Sequence, residues 1–231
     1  MVTDTRRKQK QLERRKAKDK DRARKRALAQ RDPRDIAARI ERAATAPILH
    51  CCTTDVLWDE GMSHVLVSRK LPSGNVAFVA FLVDVYCLGV KDVFFNVVSR
   101  GAYDSMLYGK LIGDYQMVKL APPEARKLIE GAVEYAGNLG LPPHPDYRTA
   151  KAILGDIDGD EYAQEFVYGK DGKPFFIAGP HDSKARCDQV VSILTARCGP
   201  NGFHFLMPDG SAGTSLAGAR VLRIDDSGEL G

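Results

Sequence analysis

Between residues 76 and 88 apolar side chains fall on both faces of an extended chain. Ala77, Val79, Phe81, Val83, Val85 and Cys87 share one face, and Phe78, Ala80, Leu82, Asp84, Tyr86 and Leu88 share the other. A strand apolar on both faces is expected to be central and covered on both sides, here with Gly89 at its end. Residues 64–68 predict a strand before it, joined through the turn sequence Leu71-Pro72-Ser73-Gly74-Asn75. Residues 93–98 fit a further strand or a short helix, and periodicity does not decide between them.

Elsewhere the spacing turns helical. After Pro122-Pro123-Glu124, the residues Ala125, Leu128, Ile129, Ala132, Val133, Ala136 and Leu139 form one stripe, and Gly140 suits a C-terminal cap. Asp146 opens a short helix over residues 147–154 that ends at Gly155. Cys187, Val190, Val191, Leu194 and Cys198 form another stripe, begun by Asp182 or Ser183 and ended by Gly199-Pro200. Asp32-Pro33 starts an earlier helix, whose Ile36, Ile40, Ala43 and Ala44 form a docking face before Pro47 stops it. Residues 165–168 and 174–178 flank Gly169-Lys170-Asp171-Gly172-Lys173, which predicts a β-hairpin. A short strand is expected over residues 203–207, a mobile Gly/Ser/Ala-rich stretch over 209–219, and an edge strand over 221–224. Strands that come in hairpins rather than alternating with helices indicate an α+β fold, with β-hairpins packed on amphipathic helices. The organisation expected is a basic arm (1–31), a docking helix (32–46), an α+β domain (47–207) and a flexible C-terminal segment (208–231).

Charge changes this picture most at the N-terminus. Residues 1–31 hold 14 Lys/Arg against 4 Asp/Glu, a net of +10, while the other 200 residues hold 20 against 26, a net of −6. The basic groups are Arg6, Arg7, Lys8, Lys10, Arg14, Arg15, Lys16, Lys18, Lys20, Arg22, Arg24, Lys25, Arg26 and Arg31. Such density attracts polyanions, nucleic acid above all. The arm has good helix formers and almost no apolar periodicity, so charge repulsion favours coil when it is free. A polyanion would relieve that repulsion and permit a helix of about 25 residues, roughly 38 Å long. The partner expected is therefore nucleic acid or another polyanion, RNA or a ribonucleoprotein before DNA, with a protein partner as an alternative.

The apolar run around residues 76–90 is interrupted by Asp84 and falls short of the ~20 residues a membrane helix needs. The arm carries acids and lacks Ser, unlike an organelle transit peptide, so a cytoplasmic, membrane-free setting is expected. Five cysteines without regular spacing argue against a disulfide framework and against a zinc site. Asp156-Ile157-Asp158-Gly159-Asp160-Glu161 places Gly and Glu wrongly for an EF-hand and reads as a solvated acidic turn. No Walker loop, GxGxxG, GxSxG or HExxH is present, so no cofactor and no metal is expected.

Asp84 is the sharpest chemical candidate in the body. A carboxylate within so apolar a strand must be paired, hydrogen-bonded or raised in pKa. His50, Cys51 and Cys52, with Asp55 and His64 nearby in sequence, supply nucleophile and base types for a hydrolase centred on Asp84. The competing readings are a buried acid tied to a cation or backbone donor, or a partly open strand, for Asp84, and ordinary strand or loop residues for His50, Cys51 and Cys52; the balance leans away from an enzyme. His144 and His181 lie in stiff Pro-containing loops that can present functional groups.

The segments Phe81-Leu-Val-Asp-Val-Tyr-Cys-Leu-Gly-Val-Lys-Asp92, Gly140-Leu-Pro-Pro-His-Pro-Asp-Tyr147 and Gly172-Lys-Pro-Phe-Phe-Ile-Ala-Gly-Pro180 resemble a family of bacterial proteins with no assigned activity. The resemblance covers about residues 45–207 and excludes the arm. It implies a bacterial cytoplasmic setting and carries no activity, cofactor or site.

Overall fold

The structure is a computed structural model that describes residues 33–112, 114–180, 182–207 and 212–213. The basic arm, the C-terminal stretch with its expected edge strand, and His181 lie outside the described residues. The chain divides into two units, residues 1–38 and 39–231. The boundary falls inside helix α1 (Pro33–Arg42). Within the second unit, Ile40 and Ala43 from the end of this segment are fully buried, as its apolar stripe requires.

The second unit is an α+β fold. Its main sheet is antiparallel, with strands β1 (Ile48–Thr54), β2 (Met62–Lys70), β3 (Asn75–Asp84), β4 (Gly89–Ser99) and β5 (Met117–Lys119) in the order β4-β3-β2-β1-β5. A one-turn helix α2 (Leu57–Glu60) joins β1 to β2. Strand β3 pairs with β2 on one side and β4 on the other, as its two apolar faces anticipate. Under one face, Val76, Phe78 and Ala80 pack with Cys52 and Leu66 against Tyr103 and Leu107. Those last two come from helix α3 (Arg100–Met106) and the π-helical turn that continues it (Leu107–Leu111). The other face lies under helix α4 (Pro122–Asn138), whose Ala125, Leu128, Ile129, Ala132 and Ala136 are buried. Small residues at three of those five positions let α4 approach the strands closely. Glu124 reaches back to accept the Ala121 N–H at 3.0 Å, closing the start of α4.

A second core forms beyond the β3–β4 turn. Cys87 and Leu88 from that turn pack with Ala136, Leu139 and Leu141, with Phe176 of β6 (Phe175–Ile177), with Phe205 of β7 (His204–Leu206), and with helix α6 (Lys184–Cys198). Strands β6 and β7 are parallel, and β8 (Ala212–Gly213) is antiparallel to β7. Of the hairpin expected across residues 165–178, the two-residue turn Asp171-Gly172 forms but the flanking strands do not pair. Lys170 and Lys173 make a single antiparallel bridge, residues 162–168 run along α4 instead, and β6 takes β7 as its partner. Ring contacts hold this segment where it lies: Phe166 stacks between Trp58 and Tyr162, and Tyr168 stacks on Tyr135 of α4. The strand expected over residues 76–88 ends at Asp84, because the backbone turns there and β4 begins at Gly89. The ambiguous segment 93–98 is strand, inside β4.

Arg69 ties three segments together. Its guanidinium is 3% exposed and donates to three carbonyls: Nε to Ile153 at 2.7 Å, Nη1 to Ala46 at 2.6 Å and Nη2 to Leu154 at 2.8 Å. Ile153 and Leu154 close the short helix α5 (Tyr147–Ala150) and the 3₁₀ turn that follows it, whose last carbonyls need donors. The turn passes so close to Ala44 O that only Gly fits at 155, where φ is +54°. A planar fork of five N–H groups can serve three fixed carbonyls, whereas an ammonium cannot match that geometry. Both Arg69→Lys and Arg69→Met are expected to destabilise the fold by about 3 kcal/mol or more, with carbonyls left unpaired. Chemical unfolding of the two variants checks this; a loss under 1 kcal/mol for Arg69→Met would refute the clamp.

Candidate functional site

Asp84 closes β3 as an acceptor for the following turn. Its Oδ1 accepts the backbone N–H groups of Tyr86 and Cys87, each at 2.9 Å. This Asx-type arrangement satisfies two donors that would otherwise be buried without partners. Burial raises the carboxyl to about pH 6, against the opposing pull of the turn N–H groups and a weaker one from Lys91. The side chain is 5% exposed and holds a turn.

The structure does not bring Asp84 to His50, Cys51 or Cys52. Those three pair across to Ser68, Val67 and Leu66 on β2, which in turn oppose Phe78, Val79 and Ala80 on β3. Asp84 is thus two strands over and at least four residues further along, a separation of roughly 16–22 Å from strand spacing and rise. Each of the three has a local role. Cys51 and Cys52 are buried, which pushes their thiols up to about 12 and about 11 and keeps them protonated. His50 stacks on Tyr103, and its Nδ1 lies 2.8 Å from Tyr103 Oη, which in turn lies 2.9 Å from Ser68 Oγ. Tyr103 and Ser68 are fully buried and His50 is half-buried at the end of this polar chain, so His50 is held in place by buried partners. Burial first, then Arg100, lowers the His50 pKa and keeps the ring neutral. His64 is likewise lowered by burial, with Asp92 opposing. In the acidic turn, Asp158 accepts the Asp160 N–H at 3.0 Å, and Asp156 lies 3.5 Å from Arg69. Among the described residues no group of three or more His, Cys, Asp or Glu is disposed to hold a metal ion.

A cleft forms instead where three loops meet at the start of β4. In the β3–β4 register Val83 opposes Val90 and Leu82 opposes Asp92, so Lys91 is the extra residue of a β-bulge. Bulges re-aim side chains, and here Lys91 reaches out to Asp182 at 2.9 Å. The loop Leu141-Pro142-Pro143-His144-Pro145 docks beside it through the His144 N–H, which donates to Val90 O at 2.9 Å. The third loop, between β6 and α6, turns at Gly179, whose N–H donates to Asp182 Oδ2 at 2.7 Å. A Cβ at residue 179 would lie 3.0 Å from Lys91 Nζ and would crowd the ion pair. Burial opposes ionisation of Asp182, but the hydrogen bonds from Lys91 and Gly179 outweigh it and hold the carboxyl below its usual range. Ser183, not Asp182, caps α6, accepting the Arg186 N–H at 3.2 Å. His144 accepts the Asp146 N–H on Nδ1 at 3.2 Å and presents Nε2 to Asp92 at 3.7 Å.

Two cavities share Lys91, His144 and Asp182. One of about 390 Å³ extends over Leu88, Val90, Phe176 and the three prolines of the loop, with Arg186 at its rim. The other, of about 420 Å³, extends over Met62, Leu82, Asp92, Gly179 and Pro180. The sequence singled out His144 and the stiffness of its loop but neither Lys91 nor Arg186. Nothing local marks a bulged lysine, since the bulge appears only once β3 and β4 are in register. No family model, no curated protein and no solved structure matches this chain.

The turn bonds of Asp84 and its raised pKa predict a specific stability profile. The folded state binds the proton more tightly than the unfolded chain, so stability from this group rises as pH falls from about 6 toward 4. The ionised carboxylate costs on the order of 3 kcal/mol at neutral pH relative to the protonated one. Asp84→Asn keeps an oxygen acceptor for both N–H groups without the buried charge, so it should lose this part of the pH dependence and be no less stable than the wild type at pH 7. Asp84→Ala strands both donors and should cost about 1–3 kcal/mol. Urea unfolding of the three proteins at pH 4.5 and 7.5 tests this. Equal losses for Asn and Ala would contradict the turn-cap role.

Proposed function

We propose that this chain is a nucleic-acid-associated binding protein, RNA or a ribonucleoprotein before DNA, that grips phosphates through its basic arm. The observation that carries the proposal is the charge split: +10 within residues 1–31 against −6 over the other 200 residues. A polyanion is attracted to the arm and repelled on average by the rest of the chain, so the contacts fall on the 14 Lys/Arg. Phosphate contacts of this kind position a protein without reading sequence, and the arm has no aromatic residue for base stacking. The α+β unit would then supply shape or partner recognition, in a cytoplasmic setting. No described helix is long and apolar enough to cross a membrane, which fits that setting.

The hydrolase alternative built on Asp84, His50, Cys51 and Cys52 has no geometric support, because the sheet register separates Asp84 from the other three, Asp84 and His50 are held by local bonds, and burial keeps both thiols protonated. An adaptor that binds an acidic protein through the arm uses the same charge and differs only in the partner.

Neutralising 6–10 phosphates makes affinity fall by about 10³–10⁵ between 50 and 200 mM salt. Titration of RNA and DNA oligonucleotides into the full chain should show that slope. A variant lacking residues 1–31 should lose most of the affinity and keep its melting temperature within a few degrees. Unchanged affinity in the shortened variant would refute the proposal, and tight binding to an acidic protein but to neither nucleic acid would favour the adaptor.

A further inference from the structure

We propose that the cavity beside Lys91 and Arg186 binds a small organic oxyanion, a carboxylate or phosphate carried on a compact apolar group. The polar wall has more donors than acceptors. Lys91 Nζ gives one hydrogen bond to Asp182, leaving two of its three protons. Arg186 is exposed, and its Nη1 lies at a long 3.4 Å from Gln189 Oε1. The acid on this wall, Asp182, already accepts from both Lys91 and Gly179. Lys91 and Arg186 against the one acid Asp182 leave this wall with a cation in excess. Arg186 also sits in the first turn of the 15-residue helix α6, where the helix dipole adds positive potential.

The remaining surface fixes the other half of the ligand. Val90, Phe176 and the prolines of the 141–145 loop give an apolar, rigid floor. At about 390 Å³ the cavity lies within the range of small-molecule sites, which pair apolar walls with a few convergent polar groups. The neighbouring cavity shares Lys91 and Asp182 but adds Asp92 and lacks Arg186, so the oxyanion is drawn to the Arg186 side. This site is independent of the basic arm and of the nucleic-acid proposal.

The test is an amide NMR titration of the full chain with phenyl phosphate, benzoate and the neutral benzyl alcohol. Saturable shifts at Val90, Lys91, Phe176 and Arg186 are expected for phenyl phosphate, benzoate or both, with Kd at or below about 10 mM. Which oxyanion binds tells phosphate from carboxylate. Benzyl alcohol should bind at least about tenfold more weakly, because it lacks the charge-assisted bonds. Arg186→Gln, at an exposed position that leaves the fold intact, should weaken the oxyanion by about fivefold or more. Absence of shifts at the cleft, equal binding of benzyl alcohol, unchanged binding by Arg186→Gln, or shifts confined to the arm would each overturn the proposal.

Discussion

The second core and the cleft depend on one buried carboxylate. Asp84 ends β3 and gathers the N–H groups of Tyr86 and Cys87 onto a single oxygen. That bond set turns the chain within a few residues, so that Cys87 and Leu88 enter the core shared with α4 and α6 and β4 can start at Gly89. The cost is a charge held away from water, visible as a carboxyl raised to about 6. Burial and hydrogen bonding pull this pKa in opposite directions, and burial wins. A carboxylate with a raised pKa invites a catalytic reading, yet this one is buried and faces backbone donors.

The cleft inherits its geometry from the same turn. A compact turn sets the β3–β4 register, and the register leaves Lys91 as the residue without an opposite number. The bulge exposes Val90 O to the N–H of His144, which anchors a loop already stiffened by three prolines. Asp182 then bridges Lys91 to the loop before α6. Three segments far apart in sequence are thus joined by a short series of bonds.

Much of the fold was legible from periodicity. The two-faced apolar pattern of β3, the α4 stripe and the α6 stripe each state which surfaces must be covered, and they are covered as expected. What was not legible came from pairing between distant segments. The Asp171-Gly172 turn forms as its sequence requires, but residues 165–168 do not continue it as a strand; Phe166 and Tyr168 instead stack on Trp58 and Tyr135. Strand β1 was not anticipated, because Ile48–Thr54 mixes His, Cys and Thr without alternation. The same holds for the site. Asp84 stands out in sequence as an anomaly, but its neighbours in space are set by the sheet register, which separates it from His50, Cys51 and Cys52. Lys91 and Arg186 look like ordinary surface cations until a bulge and a helix cap orient them.

Native-state hydrogen exchange at the Tyr86 and Cys87 amides tests the central claim most directly. If Asp84 holds the turn as a buried acceptor, both amides exchange only through global unfolding, with protection equal to that of Phe81 within β3. Exchange of Tyr86 and Cys87 at the rate of an open loop, while Phe81 stays protected, would contradict it.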